Sequence, residues 1–266
     1  MAETIERVAN PPLPEPVWDR IQGHTPRLLL LDFDGTLAPF EVNRMAVRVP
    51  EASCRAIERI ARSPHDRVAV VSGRPIRELQ QLLGNFPGVM AGEHGWEEKS
   101  ALGVVCRHTP GLRARFLLKL AEWVAVFMRC GDHLERKRAS IVLHTRGVTS
   151  HREQRRLARC ARVLQVLIAH ERMKLDTFNG GWELRDRTRS KGTIAADLIA
   201  NGPPDPLPVF LGDDTSDEDA FAVVRPIGIT VRVGTDPRAS AAEWALESPD
   251  AVAEFLERWA EISEEA

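Results

Sequence analysis

Four clusters of side chains in this 266-residue chain could do chemistry. The first is Asp32-Phe33-Asp34-Gly35-Thr36. Side chains two apart on an extended chain point the same way, so Asp32 and Asp34 can share one small site. A carboxylate can attack phosphorus and form an acyl phosphate, splitting one hard hydrolysis into two easier steps. A second carboxyl can protonate the leaving alkoxide and then deprotonate water. Two like charges this close push one pKa up, which suits an acid/base. Taken alone, Asp-x-Asp-Gly also reads as a polar turn. The second cluster is Ser72-Gly73-Arg74, just before Pro75. A hydroxyl, a glycine and a helix start make a phosphate cradle, or simply a capped helix. The third is Lys191, at a helix start behind Ser190, where a cation opposes the helix dipole. That local conflict favours a lysine that holds phosphate and damps repulsion between carboxylates. The fourth runs from Asp213 to Asp219, five carboxylates in seven residues. Helix capping explains one or two of them. The rest repel unless a cation sits among them, and Mg²⁺ suits hard oxygen ligands and a phosphate substrate.

Three of these clusters follow or border short apolar runs at 28–31, 68–71 and 207–211. Such runs read as strands buried on both faces of a parallel sheet, and open α/β sheets keep their sites at the carboxyl ends. Helices are predicted over 50–62, 76–83, 193–199, 220–224 and 249–262, the last with Val252, Phe255, Leu256 and Trp259 inward. A third strand and turn at 89–97 holds Gly92-Glu93-His94-Gly95. His94 there reads first as structural, in a loop tight enough to approach a ligand. From about Thr109 the texture changes. Residues 112–130 form an amphipathic helical pattern with Phe116, Leu120, Trp123, Val124 and Phe127 on one face. A strand at 140–144, an arginine-rich helix at 151–170, and a strand and turn at 175–185 follow. The expected fold class is α/β: a Rossmann-like core with a central parallel sheet and an inserted α+β cap. The expected divisions are an extended N-terminal segment over 1–26 with a short helix near 17–21, core over 27–108, cap over 109–184, and core again over 185–266.

Hydrophobic residues at 43% and charged residues at 28% are ordinary for a globular protein. A net charge of −2 gives no bulk attraction to nucleic acid or to an anionic membrane. The arginines of 152–162 therefore read as a solvated helix face. Cys54, Cys106, Cys130 and Cys160 have no metal-site spacing and read as reduced thiols. No leader pattern and no apolar run of membrane-spanning length is seen, so the expected location is cytoplasmic.

Asp-Phe-Asp-Gly-Thr-Leu resembles the first motif of the haloacid dehalogenase (HAD) superfamily of phosphatases, and Ser72, Lys191 and Asp213/Asp214 fall where its later motifs do. The resemblance implies Asp32 as nucleophile, Asp34 as general acid/base, Thr36 and Ser72 bonding the phosphoryl group, and Lys191 neutralising it. It implies Mg²⁺ on Asp32, Asp34 through its carbonyl, and Asp213, with Asp214 or Asp217 in support. Ser-Gly-Arg (72–74), Gly-Glu-His-Gly (92–95), Glu135-x-Lys137-x-x-Ser140, Leu143-His144-x-Arg146, Glu183-Leu184-Arg185 and Gly212-Asp213-Asp214-x-Ser216-Asp217-Glu218-Asp219 together resemble the trehalose-6-phosphate phosphatase family. That family has Thr at Ser216 and Tyr at Thr145; each change keeps a hydroxyl. The likeness is weakest in 1–26 and in the arginine-rich helix. By it, the substrate is trehalose 6-phosphate. Arg74, Glu93, His94, Glu135, Lys137, His144, Arg146 and Glu183 then bind substrate, and a trehalose-6-phosphate synthase is a functional partner. A phosphatase for sucrose phosphate or glucosylglycerol phosphate, and a catalytically silent sugar-phosphate-binding domain, remain as rivals.

Overall fold

The computed structural model describes residues 13–41, 43–167, 172–178 and 180–265. The first part of the core runs α1 (Glu15–Gln22), β1 (Arg27–Leu31), α2 (Glu51–Ile60), β2 (Asp66–Val71), α3 (Ile76–Leu83), β3 (Val89–Gly92), β4 (Glu97–Lys99) and β5 (Val105–Arg107). An inserted unit follows: α4 (Leu112–Phe127), β6 (Leu134–Arg136), β7 (Ser140–His144), α5 (His151–Leu167), β8 (Met173–Phe178) and β9 (Gly181–Asp186). The core resumes with α6 (Lys191–Ala200), β10 (Leu207–Gly212), α7 (Glu218–Val224), β11 (Ile229–Val233), β12 (Trp244–Leu246) and α8 (Pro249–Glu265).

The core sheet has the order β12-β11-β10-β1-β2-β3-β4-β5. It is parallel from β12 to β3; β4 runs antiparallel to β3, and β5 antiparallel to β4. The four leucines of β1 alternate as a two-sided strand requires. Leu29 and Leu31 pack with α1, α2 and α8, while Leu28 and Leu30 pack with α6 and α7. The chain winds outward from β1 in both directions, so the junction of β1 and β10 is the switch point of the sheet. A crevice opens there beyond the strand ends.

The insertion has a four-stranded antiparallel sheet in the order β6-β7-β9-β8. One face carries α4 and α5 over Ile141, Leu143 and Leu184. Alternate residues of the same strands, Val142, His144, Glu183 and Arg185, point the other way and line a cavity against the core.

Two expectations need correction. The short helix expected near 17–21 is α1, but the described lead-in is not an extended arm: Leu13, Val17, Trp18 and Ile21 are buried in the core, and Trp18 packs near Phe255 of α8. Residues 1–12 lie outside the described residues. In α4, the face bearing Phe116, Leu120, Trp123 and Phe127 does not turn inward. Ala114, Leu118, Ala121 and Ala125 do, because small side chains let a helix approach its sheet closely. The hairpin β4–β5 and the edge strand β12 were not expected; at three residues each they leave too little pattern to read. No described helix is long and apolar enough to cross a membrane.

Candidate active site

The carboxyl ends of β1 and β10 bring Asp32, Asp213 and Asp217 together. Their ligand atoms all lie within 4.8 Å of one another. Two close approaches make this possible. Gly35 takes a left-handed φ of 81°, and a Cβ on it would stand 2.3 Å from a carboxylate oxygen of Asp213. A Cβ on Gly212 would stand 2.3 Å from the Asp217 carboxyl carbon. Lys191 is the counter-charge: its Nζ lies 2.7 Å from Asp32 Oδ1 and donates to Asp217 Oδ1 at 2.7 Å. Ser190 caps α6 in a reciprocal box with Thr193, and so aims the first residue of the helix inward.

One buried ammonium does not balance three carboxylates. Burial, then repulsion from Asp32, lifts Asp217 to about 7 against the pull of Lys191. Burial, Asp32 and Asp217 raise Asp213 well above the usual range. Burial works to lower Lys191, yet Asp217 and Asp32 hold it above its ordinary value. The carboxyl Oδ1 of Asp213 is buried without a hydrogen-bond partner among the described residues. Hard oxygen donors, excess negative charge and an orphaned oxygen fit a divalent cation such as Mg²⁺. Asp214 is turned elsewhere: its carboxylate accepts from Thr215 N at 2.7 Å and lies 3.7 Å from Arg238. Of the two acids proposed in support, the fold brings Asp217 into the cluster.

Asp34 has both oxygens engaged by Arg74, at 2.6 and 2.5 Å. Arg74 also donates to the carbonyl of Arg44 at 2.7 Å, and its backbone N donates to Ser72 Oγ at 3.1 Å. Asp32, Asp34, Ser72 and Arg74 all line a cavity of about 900 Å³, large enough for a disaccharide-sized ligand. Thr36 is fully buried and does not line it; its hydroxyl has no partner among the described residues.

The opposite wall is the inserted sheet. Glu183 accepts from Ser140 Oγ at 2.5 Å and Lys137 Nζ at 3.1 Å, and lies 3.2 Å from His94 Nε2. Burial alone would raise Glu183, but Lys137 and His94 hold it well below the usual range. Burial keeps His94 below its ordinary value despite Glu183. Lys137 also donates to the carbonyl of Gly73 at 2.9 Å, tying the insertion to the cradle. Glu135 pairs with Arg44 at 2.5 Å and His144 at 2.8 Å. Burial opposes its ionisation, but His144, Lys137 and Arg44 carry it down to about 2. Arg146 reaches the carbonyl of Glu41 at 3.0 Å and lies over Phe40. Glu93 lies off the cavity and accepts from Arg138 N at 2.8 Å. Glu93 and His94 both hold positive φ, 49° and 56°, a strain that surrounding contacts must sustain.

Arg44 escaped sequence reading. It bridges Glu78 of α3 at 2.7 Å to Glu135 of the insertion. It sits in a loop without periodicity, and partners 34 and 91 residues away leave no local trace. Arg238 on Asp214 and Phe40 at the cavity rim were missed for the same reason.

A family model for trehalose-phosphatase matches residues 30–250. The trehalose-phosphate phosphatase of Mycobacterium tuberculosis is 31% identical over 253 residues, covering 90% of this chain, which spans 62% of that protein's length. Trehalose-6-phosphate phosphatase of Escherichia coli is 32% identical over 230 residues, covering 85% of this chain and 84% of that one. Among solved structures, the C-terminal domain of Candida albicans trehalose-6-phosphate phosphatase superposes with a TM-score of 0.80 at 22% identity, over 95% of this chain and 98% of that one. The fold is also shared with a haloacid dehalogenase-like hydrolase from Bacteroides thetaiotaomicron, at a TM-score of 0.63 and 17% identity over 87% of this chain and 98% of that one. The sequence match runs through both parts of the core and the insertion between them, and the chain belongs to the trehalose-phosphatase family.

Proposed function

We propose that the chain hydrolyses trehalose 6-phosphate to trehalose and inorganic phosphate, with an aspartyl-phosphate formed on Asp32. The observation that carries this reading is the cavity itself. One wall presents Asp32 beside Lys191, Ser72 and Arg74, and the other presents Glu135, Lys137, His144 and Glu183. The first set suits a phosphate. The second suits a hydroxyl-rich neutral body, which needs many convergent donors and acceptors.

An anionic nucleophile approaching an anionic phosphate meets repulsion of about 4 kcal/mol at ~4 Å and an effective dielectric of ~20. Lys191 offsets part of this while keeping one oxygen of Asp32 occupied. Asp32, Asp213 and Asp217 would hold Mg²⁺, which when bound supplies the remaining positive charge. The other oxygen of Asp32 attacks phosphorus in line, and the bond to the sugar 6-oxygen breaks. Asp34 delivers a proton to that oxygen, then accepts one from the water that cleaves the aspartyl-phosphate. Arg74 occupies both Asp34 oxygens here, so it must release one for proton transfer, and an incoming phosphate is a competing anion for its guanidinium. The ties from Arg44 and Lys137 hold the insertion over the site and exclude water during the first step. An enzyme that makes the phosphate ester, a trehalose-6-phosphate synthase, is the functional partner this reading implies, in the cytoplasm.

The test is phosphate release from trehalose 6-phosphate beside glucose 6-phosphate and sucrose 6-phosphate, with Mg²⁺ and with EDTA. The expected result is metal-dependent release from the trehalose ester. Release from another ester alone overturns the substrate, and release undiminished by EDTA overturns the metal. No release from folded, metal-supplied protein overturns the enzymatic reading.

A further inference from the structure

The aromatic stripe of α4 and the arginines of α5 take no part in the cavity. Both face away from it, on the far side of the inserted sheet. At 100° per residue, Leu112, Phe116, Leu120, Trp123, Val126 and Phe127 fill an arc of roughly 120° opposite the buried alanines. Leu112 is 82% exposed, Phe116 66%, Trp123 62% and Phe127 89%. The three aromatics alone leave roughly 400 Å² of apolar surface in water, more than isolated exposed residues on a monomer account for. Arg113 and Arg115 flank the stripe on either side. On α5, packed beside α4, Arg152, Arg155, Arg159 and Arg162 share one exposed face, opposite the buried Leu157, Cys160 and Leu164. None of these six arginines forms an ion pair among the described residues.

The whole-chain charge of −2 conceals this segregation. Residues 109–184 carry 15 Lys and Arg against 7 Asp and Glu, a net of +8, which leaves −10 for the rest. An apolar band bordered by unpaired arginines complements a surface that is apolar within and anionic at its edge. A second copy of the chain is a poor occupant, since pairing the stripes would press two +8 units together. Nucleic acid would meet Leu112, Phe116 and Trp123 at the centre of the patch, where phosphates have no donor. Two helices side by side on a sheet also give a broad face, matched to a planar partner rather than a groove.

We propose that this outer face docks on an anionic lipid bilayer, with the α4 stripe at the level of the acyl boundary and the arginines of α5 on the headgroups. The chain then lies on the membrane without spanning it, and its substrate cavity stays open to water on the opposite side of the inserted sheet.

The test is co-sedimentation of the full chain with phosphatidylcholine vesicles, with and without phosphatidylglycerol. Binding is expected only with the anionic lipid, and it should weaken as salt rises. The double variant Trp123→Ser/Phe127→Ser, at exposed positions, should bind about tenfold more weakly, as should Arg155→Glu/Arg159→Glu. Thermal unfolding should be unchanged in both. No sedimentation with anionic vesicles, or sedimentation that both variants retain, overturns the proposal. So does a dimer in light scattering that the stripe variant dissolves, or tighter binding to RNA or an acidic polypeptide than to vesicles.

Discussion

The two ends of β1 each bury charge, and they do so in opposite ways. At the amino end, Arg27 meets Asp66 with two hydrogen bonds, at 2.7 and 2.8 Å, and both side chains are fully buried. Trp259 Nε1 donates to the same carboxylate at 3.0 Å, and Arg27 also reaches the carbonyl of Ile21 at 3.3 Å. One cation faces one anion, and the remaining polar atoms find neutral partners. At the carboxyl end, Lys191 faces Asp32, Asp213 and Asp217, and an oxygen of Asp213 has no partner among the described residues. A buried pair balanced in this way holds two strands in register. A cluster left short of positive charge is what a cation and a phosphate can complete. Five residues of one strand separate a structural use of charge from a chemical one.

The largest expected effect that would break this contrast comes from Asp32→Asn. Turnover in a phosphate-release assay should fall on the order of 10³-fold or more, while thermal unfolding shows the fold kept or slightly stabilised, since one repelling charge is gone. Full activity in folded Asp32→Asn protein would remove Asp32 as nucleophile. At the other end of the strand, Asp66→Ala should cost about 3–5 kcal/mol in denaturant unfolding, because it strands the Arg27 charge in the core. Catalytic turnover per folded molecule should be unchanged. A loss below 1 kcal/mol would mean the pair is not holding the register.

A smaller effect sharpens the comparison by pH. Asp217 and Asp213 have raised pKa values in the folded, metal-free chain. Their protonation stabilises the fold below the ordinary carboxylate value, and that contribution is lost as pH rises through about 7 for Asp217. On the proposed reading Mg²⁺ would bind the ionised form, so its stabilisation should grow across the same range. Scanning fluorimetry should show a larger rise in Tm with Mg²⁺ at pH 8 than at pH 6. About 100-fold saturation corresponds to ~2.7 kcal/mol, or a shift of several degrees. An equal shift at both values would contradict the carboxylate assignment. Asp66→Ala should leave this metal shift as it was.

The smallest effect concerns the tie between core and cap. Arg44→Met removes the bridge between Glu78 and Glu135, a half-exposed network worth about 1 kcal/mol or less. KM for trehalose 6-phosphate should rise several-fold with little change in kcat. Glu135 is held at about 2, so the stability it lends is present above the ordinary carboxylate value and is lost as pH falls toward 2. The stability difference between Arg44→Met and the parent should therefore persist from pH 8 to pH 5 and shrink only in stronger acid. A difference already gone at pH 5 would place the charge of Glu135 elsewhere.

Local signals carried much of the fold. α3 spans the eight residues that Pro75 and the following apolar spacing indicate. Ser190 caps α6 because its hydroxyl reaches Thr193 N three residues on, a distance set by helix geometry alone. In the site, Asp32, Asp34, Ser72 and Lys191 were legible because each sits at a strand end or helix start. The role of Thr36 is implied by the family resemblance alone; the residue is fully buried, and its hydroxyl has no partner among the described residues. α4 shows where such reading stops. Both of its faces satisfy helical periodicity, one with large aromatics and one with alanines, and hydrophobicity alone favours the wrong one.

By itself, the sequence determined the alternation of buried strands and helices, the acids at their ends and the excess of negative charge at 213–219. These follow from spacing of a few residues, where backbone geometry leaves little choice. Tertiary structure decided the rest. It chose Asp217 over Asp214 for the cluster, because the turn at 214–217 after β10 brings one carboxylate to Lys191 and turns the other back on Thr215. It placed Arg44 between two acids far apart in the chain. It also chose which side of α4 meets the cap sheet, because close packing rewards the side that fits over the more apolar one.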